Sequence, residues 1–444
     1  MKRLFGALFA LILLLCALAG TAAGEGGIPA ALQFTQTTEQ TNLSGNRRLF
    51  ITLPHTALPA VDAQIEGLVD EMVREAMPFM PGKSVDGYQE TRLDVGPYVT
   101  RVGKSWMSFL TVARIAHMSE QIYVAFDARV YDMETGEPVP LTDVIDGEKG
   151  GWAYLSAEAK AQLAAHFPKL AADPDRLKAL CAEEALADAA FTLSPGHLSL
   201  IFAAEDLYDG APAGLLRVTV YYPELKPYMT EKAIAGTDCS GYALVALTYD
   251  DGPVRGSSDR LMNQLRLYGA EATFFAVGTN MVRSAWVLSR AYDAGYSVQS
   301  HNWVHQYTGV NGDSVAKWKA KMDEGMSDII GVAPVLMRAP GGNEAMFIRA
   351  GMGLPMIHWS RISGDASKNE DDRNNVRAIG SQVGSSHDGD IVLCHDLNPK
   401  SADFAAVYLP RLEERGFLLV TVQDLCVLRG VVLTPDMILS DCPR

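Results

Sequence analysis

The chain has 444 residues, with 38 lysines and arginines against 53 aspartates and glutamates, for a formal net charge of −15. Nucleic acids and anionic membrane surfaces select basic patches, so this acidity argues against both as partners. The length suggests two or three domains, each able to bury its own core.

The N-terminus reads Met1-Lys2-Arg3, then an apolar run from Leu4 to Leu18 interrupted only by Gly6, then the small residues Ala19-Gly20-Thr21-Ala22-Ala23. That order predicts a secretory signal peptide over residues 1–23, and hence a secreted or cell-wall-associated protein. The run is shorter than the roughly 20 residues of a spanning helix, so a membrane tether is expected only if the signal stays uncleaved. Leu15 in front of Cys16 argues against a lipoprotein site. Loss of the signal removes two basic residues and no acidic one, which deepens the charge from −15 to −17. Five cysteines remain, Cys181, Cys239, Cys394, Cys426 and Cys442, without CxxC spacing, so a zinc–thiolate cluster is not expected. Cys239 and Cys442 flank the second half and are the pair considered for a disulfide.

Residues 24–236 read as an α+β domain. Stretches 48–53, 105–115, 122–131, 198–202 and 215–222 are rich in β-formers, whereas 152–167 and 175–189 carry apolar residues at helical spacing. His55, His117, His166 and His197 are dispersed and read as structural.

Residues 237–444 change rhythm. Short apolar strands are predicted at 243–248, 272–277, 297–300, 335–338, 356–359, 391–394 and 417–421, with helices between them, as at 258–268, 285–294, 315–330 and 402–415. Seven βα units point to a parallel barrel rather than an open sheet, so reactive groups should sit where strands end.

Polar residues do fall at those ends. The first strand runs into Thr248-Tyr249-Asp250-Asp251-Gly252-Pro253. Adjacent carboxylates at a strand exit point in different directions, so one can bind a metal while the other stays free as a base. The third strand ends in Ser300-His301-Asn302-Trp303-Val304-His305. Histidines four apart on a helical turn would share one face, and with Asp251 they make a three-ligand set that leaves room for water and substrate, as catalytic zinc sites do. The fourth strand delivers Arg338-Ala339-Pro340-Gly341-Gly342. The arginine can fix a carboxylate, and the glycines let backbone N–H groups approach a substrate oxygen. The sixth ends in Leu393-Cys394-His395-Asp396, where His395 is a candidate titrating acid.

With these motifs in order, together with the stretch from Trp359 to Asp365, the region from about Ser240 to Leu428 resembles the polysaccharide deacetylase family, whose catalytic part is also called the NodB homology domain. The resemblance implies a distorted (β/α)7 barrel, α/β in class, preceded by the α+β domain. It implies hydrolysis of acetamido groups on N-acetylated glycans, with peptidoglycan as partner. It also implies a divalent metal, zinc or alternatively cobalt, on Asp251, His301 and His305. Carried over position by position, Asp250 becomes the base, Arg338 its anchor, His395 the acid and Asp365 the residue that orients His395. Gly341 and Gly342 face the developing oxyanion, while Trp359 and Leu393 wall the acetyl pocket. The first half resembles an extracytoplasmic domain that precedes such deacetylase domains and forms the outer part of a lysozyme-sensing anti-sigma factor. The resemblance there runs through Tyr131 to Val144 and Val218 to Tyr228, and it implies binding or positioning.

Three positions depart from the family pattern. Tyr249 stands for Phe, and Asn302 for Ser or Thr. Around Asp365 the sequence is Gly364-Asp365-Ala366-Ser367, without the usual Trp after it, and Ile362 replaces an upstream Asp, which leaves Asp371 or Asp372 as substitutes. The rival readings are a catalytically silent protein that binds glycan or lysozyme, and an esterase of acetylated xylan.

Overall fold

The computed structural model describes residues 27–81, 90–117, 120–207 and 214–444, so the signal peptide expected over 1–23 lies outside the described residues. No helix among the described residues is long and apolar enough to cross a membrane.

In the first half, β1 (Phe34–Leu43), β2 (Arg47–Thr56), β3 (Thr91–Val102), β4 (Trp106–His117) and β5 (Glu120–Asp132) make one sheet in chain order. Its pairs are antiparallel except β2 with β3. A parallel pair needs a crossover, and helix Pro59–Ala76 supplies it, burying Val61, Ile65, Val69, Met72 and Ala76 at helical spacing. A second sheet joins β6 (Phe191–Leu193), β7 (His197–Ala203) and β8 (Leu215–Tyr221). The helix expected over 175–189 is two pieces, Pro174–Leu180 and Glu183–Ala187. The chain breaks at Cys181, which is buried and whose carbonyl accepts from Ser156 Oγ at 2.6 Å.

The second half holds β9 (Ala243–Asp250), β10 (Thr273–Ala276), β11 (Ser297–Ser300), β12 (Met356–Ile357), β13 (Arg361–Ile362), β14 (Ile391–His395), β15 (Phe417–Val420) and β16 (Ile438–Leu439). The order β11-β10-β9-β14-β13 is parallel throughout, and β15 pairs with the start of β9. Parallel bridges from Ser300 to Met337 and from Met337 to Met356 carry the ring on to β12, whose chain continues into β13 beside β14. The strands thus close into a distorted (β/α)7 barrel.

The distortion has local causes. The strand expected at 335–338 pairs only at Met337, because the N–H groups of Val335 and Leu336 donate to the Gln299 side chain at 3.0 and 2.9 Å. The strand expected at 356–359 stops after Ile357, where β16 takes the ladder and Leu439 O accepts from His358 N–H at 2.7 Å.

Side chains on a strand alternate between faces, and here the alternation sorts chemistry. Val245, Leu247 and Tyr249 pack outward with Val392 and Cys394 in the core beneath the outer helices. Leu244, Ala246 and Ile391 face inward. The same parity turns Thr248, Asp250 and His395 inward at the strand ends.

That inner core is continuous with the first half, including Leu93, Val95, Phe109 and Ala113. Around it, arginines meet the C-terminal ends of barrel helices, where unpaired carbonyls favour cations. Arg101 donates to Tyr268 O at 2.8 Å, just past helix Ser258–Leu267. Arg217 donates to Asp293 O at 2.8 Å, and Arg114 pairs with the Asp293 carboxylate at 3.0 Å, at the end of helix Ala285–Asp293. The first half therefore closes the end of the barrel where strands begin, opposite the end that carries the polar motifs.

Candidate metal centre and catalytic site

β9 ends at Asp250, and the next residue departs from strand geometry, since Asp251 has φ 81°. That left-handed conformation is costly for a non-glycine residue and is held from both sides. The Asp251 N–H donates to Phe275 O at 3.2 Å, and Asn280 Nδ2 donates to Asp251 O at 2.8 Å. The turn separates the two carboxylates. Asp250 Oδ1 lies 2.9 Å from the Arg338 guanidinium, whereas Asp251 Oδ1 is buried without a hydrogen-bond partner.

His301 and His305 follow β11, but the stretch between them is a bend, not the helical turn the spacing suggested. Asn302 accounts for the difference. It sits at φ 68°, a conformation asparagine tolerates better than most residues, and its Nδ2 donates to Val304 O at 3.0 Å. His301 is buried, and its Nδ1 lies 2.8 Å from Arg338 O. A carbonyl only accepts, so Nδ1 carries the proton and Nε2 is left facing Asp251 Oδ1 at 3.4 Å. His305 Nε2 lies 3.3 Å from the same oxygen.

Among the described residues, Asp251, His301 and His305 form a group whose candidate ligand atoms all lie within 4.8 Å of one another. One oxygen and two imidazole nitrogens suit a borderline divalent ion, and the orphaned Asp251 oxygen is the acceptor that such an ion would satisfy. The electrostatics agree. Burial works against the charge on Asp251, yet the close approach of His301 and the charges of His301, His395 and His305 hold its carboxyl below the usual range. Burial likewise opposes protonation of His301, but Asp250 and Asp251 outweigh it and raise its affinity for a proton. The pocket attracts positive charge.

Arg338 is fully buried and every arm is engaged. Nη1 donates to Asp250 Oδ1 at 2.9 Å and to Thr248 Oγ1 at 2.5 Å. Nε donates to Ile357 O at 2.9 Å, and Nη2 to His358 O at 3.0 Å. The guanidinium also lies over the Phe275 ring at 4.4 Å. Asp250 is therefore fixed in one orientation.

His395 pairs with Asp250 in the β9–β14 register, which sets the two side chains next to each other. Asp365 Oδ1 lies 2.8 Å from His395 Nδ1, and its Oδ2 accepts from the His395 N–H at 2.8 Å. Ser363 Oγ donates to Asp365 Oδ1 at 2.7 Å, so the carboxylate is itself held. Burial lowers the affinity of His395 for a proton, but the Asp365 hydrogen bond and the charges of Asp365, Asp250 and Asp251 overcome that and push its pKa up to about 9. Asp371 and Asp372, considered as substitutes for Asp365, lie exposed on helix Glu370–Arg373.

Residues 238–350 match the family described as polysaccharide deacetylase. The chain is 30% identical over 182 residues to the peptidoglycan-N-acetylglucosamine deacetylase PgdA of Listeria monocytogenes, covering 41% of this chain and 38% of that one. It is 29% identical over 183 residues to the peptidoglycan-N-acetylmuramic acid deacetylase PdaC of Bacillus subtilis, covering 41% and 38%. A peptidoglycan-N-acetylglucosamine deacetylase of Bacillus cereus is 31% identical over 198 residues, and that match takes in 41% of this chain and 87% of the relative. The chain belongs to the polysaccharide deacetylase family. It spans little more than a third of the length of PgdA and PdaC.

Within this family member the remaining motif residues follow the same strand ends. Leu393 is buried and Trp359 half-buried, with Trp359 stacked on His358 at 3.9 Å. Gly342 has φ 68°, and a Cβ there would fall 3.0 Å from Trp359. Its N–H does not face outward as expected, because it donates to Ala339 O at 3.0 Å. Of the two glycines, Gly341 remains the candidate donor to a substrate oxygen.

Two residues were passed over in the sequence. Asn280, already described, steadies Asp251. Asp396, directly after His395, is buried with Oδ2 accepting from Ser258 at 2.5 Å, and burial drives its pKa up to about 7. A Cβ on Gly252 would fall 2.0 Å from Asp396 Oδ2, so the loop after Asp251 fits only with glycine there. For Asp396 the signal was adjacency to His395; for Asn280 the sequence offered none.

Proposed function

We propose that this protein is a secreted, divalent-metal-dependent hydrolase that removes acetyl groups from the N-acetylated amino sugars of peptidoglycan. The observation that carries the reading is the division between two neighbouring carboxylates. Asp250 is locked on Arg338 at 2.9 Å, while Asp251 turns an unpartnered oxygen toward two imidazoles at 3.3 and 3.4 Å. The family membership, and relatives named as peptidoglycan deacetylases, support amide hydrolysis on a cell-wall glycan.

Asp251, His301 and His305 would hold the ion, zinc in the first instance. When bound, a divalent ion supplies Lewis-acid polarisation of the acetamide carbonyl and acidifies the attacking water. Asp250 takes the proton from that water as it adds to the carbonyl, and Arg338 keeps the carboxylate aimed and ionised. The Gly341 N–H is the candidate donor to the oxygen on which negative charge develops. His395 enters protonated, held so by Asp365, and gives its proton to the departing amine, releasing acetate and a free amino sugar. Trp359 and Leu393 border the acetyl methyl group.

The amino-terminal pattern of residues 1–23 supports export. We assign residues 24–236 to an accessory part that positions the barrel on its polymer, and residues 237–444 to the catalytic part. Mass spectrometry of purified peptidoglycan fragments, after incubation with zinc-loaded protein, tests the reading. Loss of one acetyl mass, located by fragmentation on the amino sugar, is expected. Unchanged fragments from a metal-loaded, folded protein would reject it.

A further inference from the structure

The disulfide considered from the sequence, Cys239 with Cys442, does not match the geometry, since Cys239 Sγ accepts from the Gly103 N–H at 3.3 Å. The sulfur beside Cys442 is that of Cys426, on helix Val422–Leu428, at 3.8 Å. Both residues are buried, at 1% and 2% exposure. We propose that Cys426 and Cys442 are a cross-linking site that closes to a disulfide and clasps the C-terminal tail to the barrel.

The bonded distance is about 2.05 Å, so closure from 3.8 Å asks for less than two ångströms of travel, within reach of side-chain rotation. The hydrogen bond from Cys426 holds the Cys442 thiol below its ordinary pKa, which makes Cys442 the first nucleophile. Its thiolate attacks one sulfur of an external disulfide, such as oxidised glutathione, and displaces one thiolate. Cys426 then attacks the mixed disulfide, and its proton leaves with the second thiol. Two electrons and two protons pass from the protein to the reagent, which ends as two thiols.

The clasp reaches the candidate site through the tail. Met356 N–H donates to Met437 O and His358 N–H to Leu439 O, both at 2.7 Å, while Cys442 N–H donates to Gly389 O at 2.9 Å. The segment so held presents the Ile357 and His358 carbonyls to Arg338. Fixing the tail steadies the cage around Arg338, a consequence that rests on the catalytic reading; the cross-link itself does not.

The test is a peptide map of the full chain after exposure to oxidised glutathione, alkylation and tryptic digestion without reductant. The cleavage pattern puts Cys426 in the peptide from Gly416 to Arg429 and Cys442 in that from Gly430 to Arg444. Expected is one species joining the two, two hydrogens lighter than their sum. Reductant should lower the melting temperature of the wild type by on the order of 5 °C. It should not move Cys442→Ser or Cys426→Ser, while Cys239→Ser keeps the shift. Recovery of both peptides separately alkylated, a link from Cys442 to Cys239, or an equal reductant shift in Cys442→Ser would overturn the proposal.

Discussion

Two buried aspartates at opposite ends of the barrel meet opposite surroundings. Where strands begin, Asp94, like Asp293, meets arginines. Burial opposes the charge on Asp94, but Arg92, Arg266 and Arg290 surround it and hold its carboxyl far below the usual range. Arg266 lies 2.8 Å and Arg92 2.6 Å from it. Where strands end, Asp251 keeps a buried oxygen with no partner and a backbone at φ 81°. A matched buried carboxylate cements the two halves of the chain together, whereas an unmatched, strained one marks a place for an ion.

The sharpest way to break the comparison is to remove one charge at each end. Asp250→Asn keeps the shape but cannot accept a proton, so turnover should fall by about 10³-fold or more. The melting temperature should stay close to that of the wild type, and near-normal acetate release would remove Asp250 from its role. Asp94→Ala should do the reverse, because it strands buried guanidinium groups. Urea unfolding should show a loss of about 3–5 kcal/mol, with turnover per folded molecule unchanged. Lost turnover in fully folded protein would mean that the two ends are not separate.

A finer test is the pH profile. With its pKa raised to about 9, His395 is protonated at neutral pH. The stability it contributes is full below the ordinary histidine value and is lost as pH rises through about 9. Activity that needs the imidazolium should decline over the same alkaline limb. Asp365→Asn removes the largest effect raising that pKa, so the limb should move to lower pH by roughly one unit or more. An unmoved limb would separate Asp365 from His395.

The smallest effect concerns Asn302. With its φ at 68°, Asn302→Ala should cost about 1 kcal/mol in a urea melt, and Asn302→Gly less, since glycine adopts that conformation freely. Equal losses would locate the role of Asn302 in its side-chain hydrogen bond instead.

The parts legible in the sequence were those with a short-range signal. Alternation on β9 placed Asp250 at a strand end, and the ordered motifs named the residues that the barrel gathers. What escaped was set by pairings across the chain and by local turns that carry no periodic signal. β1, with Thr, Gln and Glu along an exposed edge, has no apolar alternation to read. The parallel pairing of β2 with β3 joins segments separated by a helix. The bend at Asn302 replaced a helical turn because one side-chain hydrogen bond outweighs a spacing rule. Gly342 turned its N–H inward to Ala339, and Cys442 met Cys426 rather than Cys239, both through folding of segments whose sequences do not announce it.

Metal content measured by mass spectrometry on folded wild type, Asp250→Asn and Asp251→Ala tests the division between the neighbouring carboxylates most directly. The account expects one divalent ion per chain in the wild type and in Asp250→Asn, with turnover lost only in the latter of those two, and little ion retained by Asp251→Ala. An Asp251→Ala protein that keeps a full, tightly held ion, or an Asp250→Asn protein that loses it, would contradict the account.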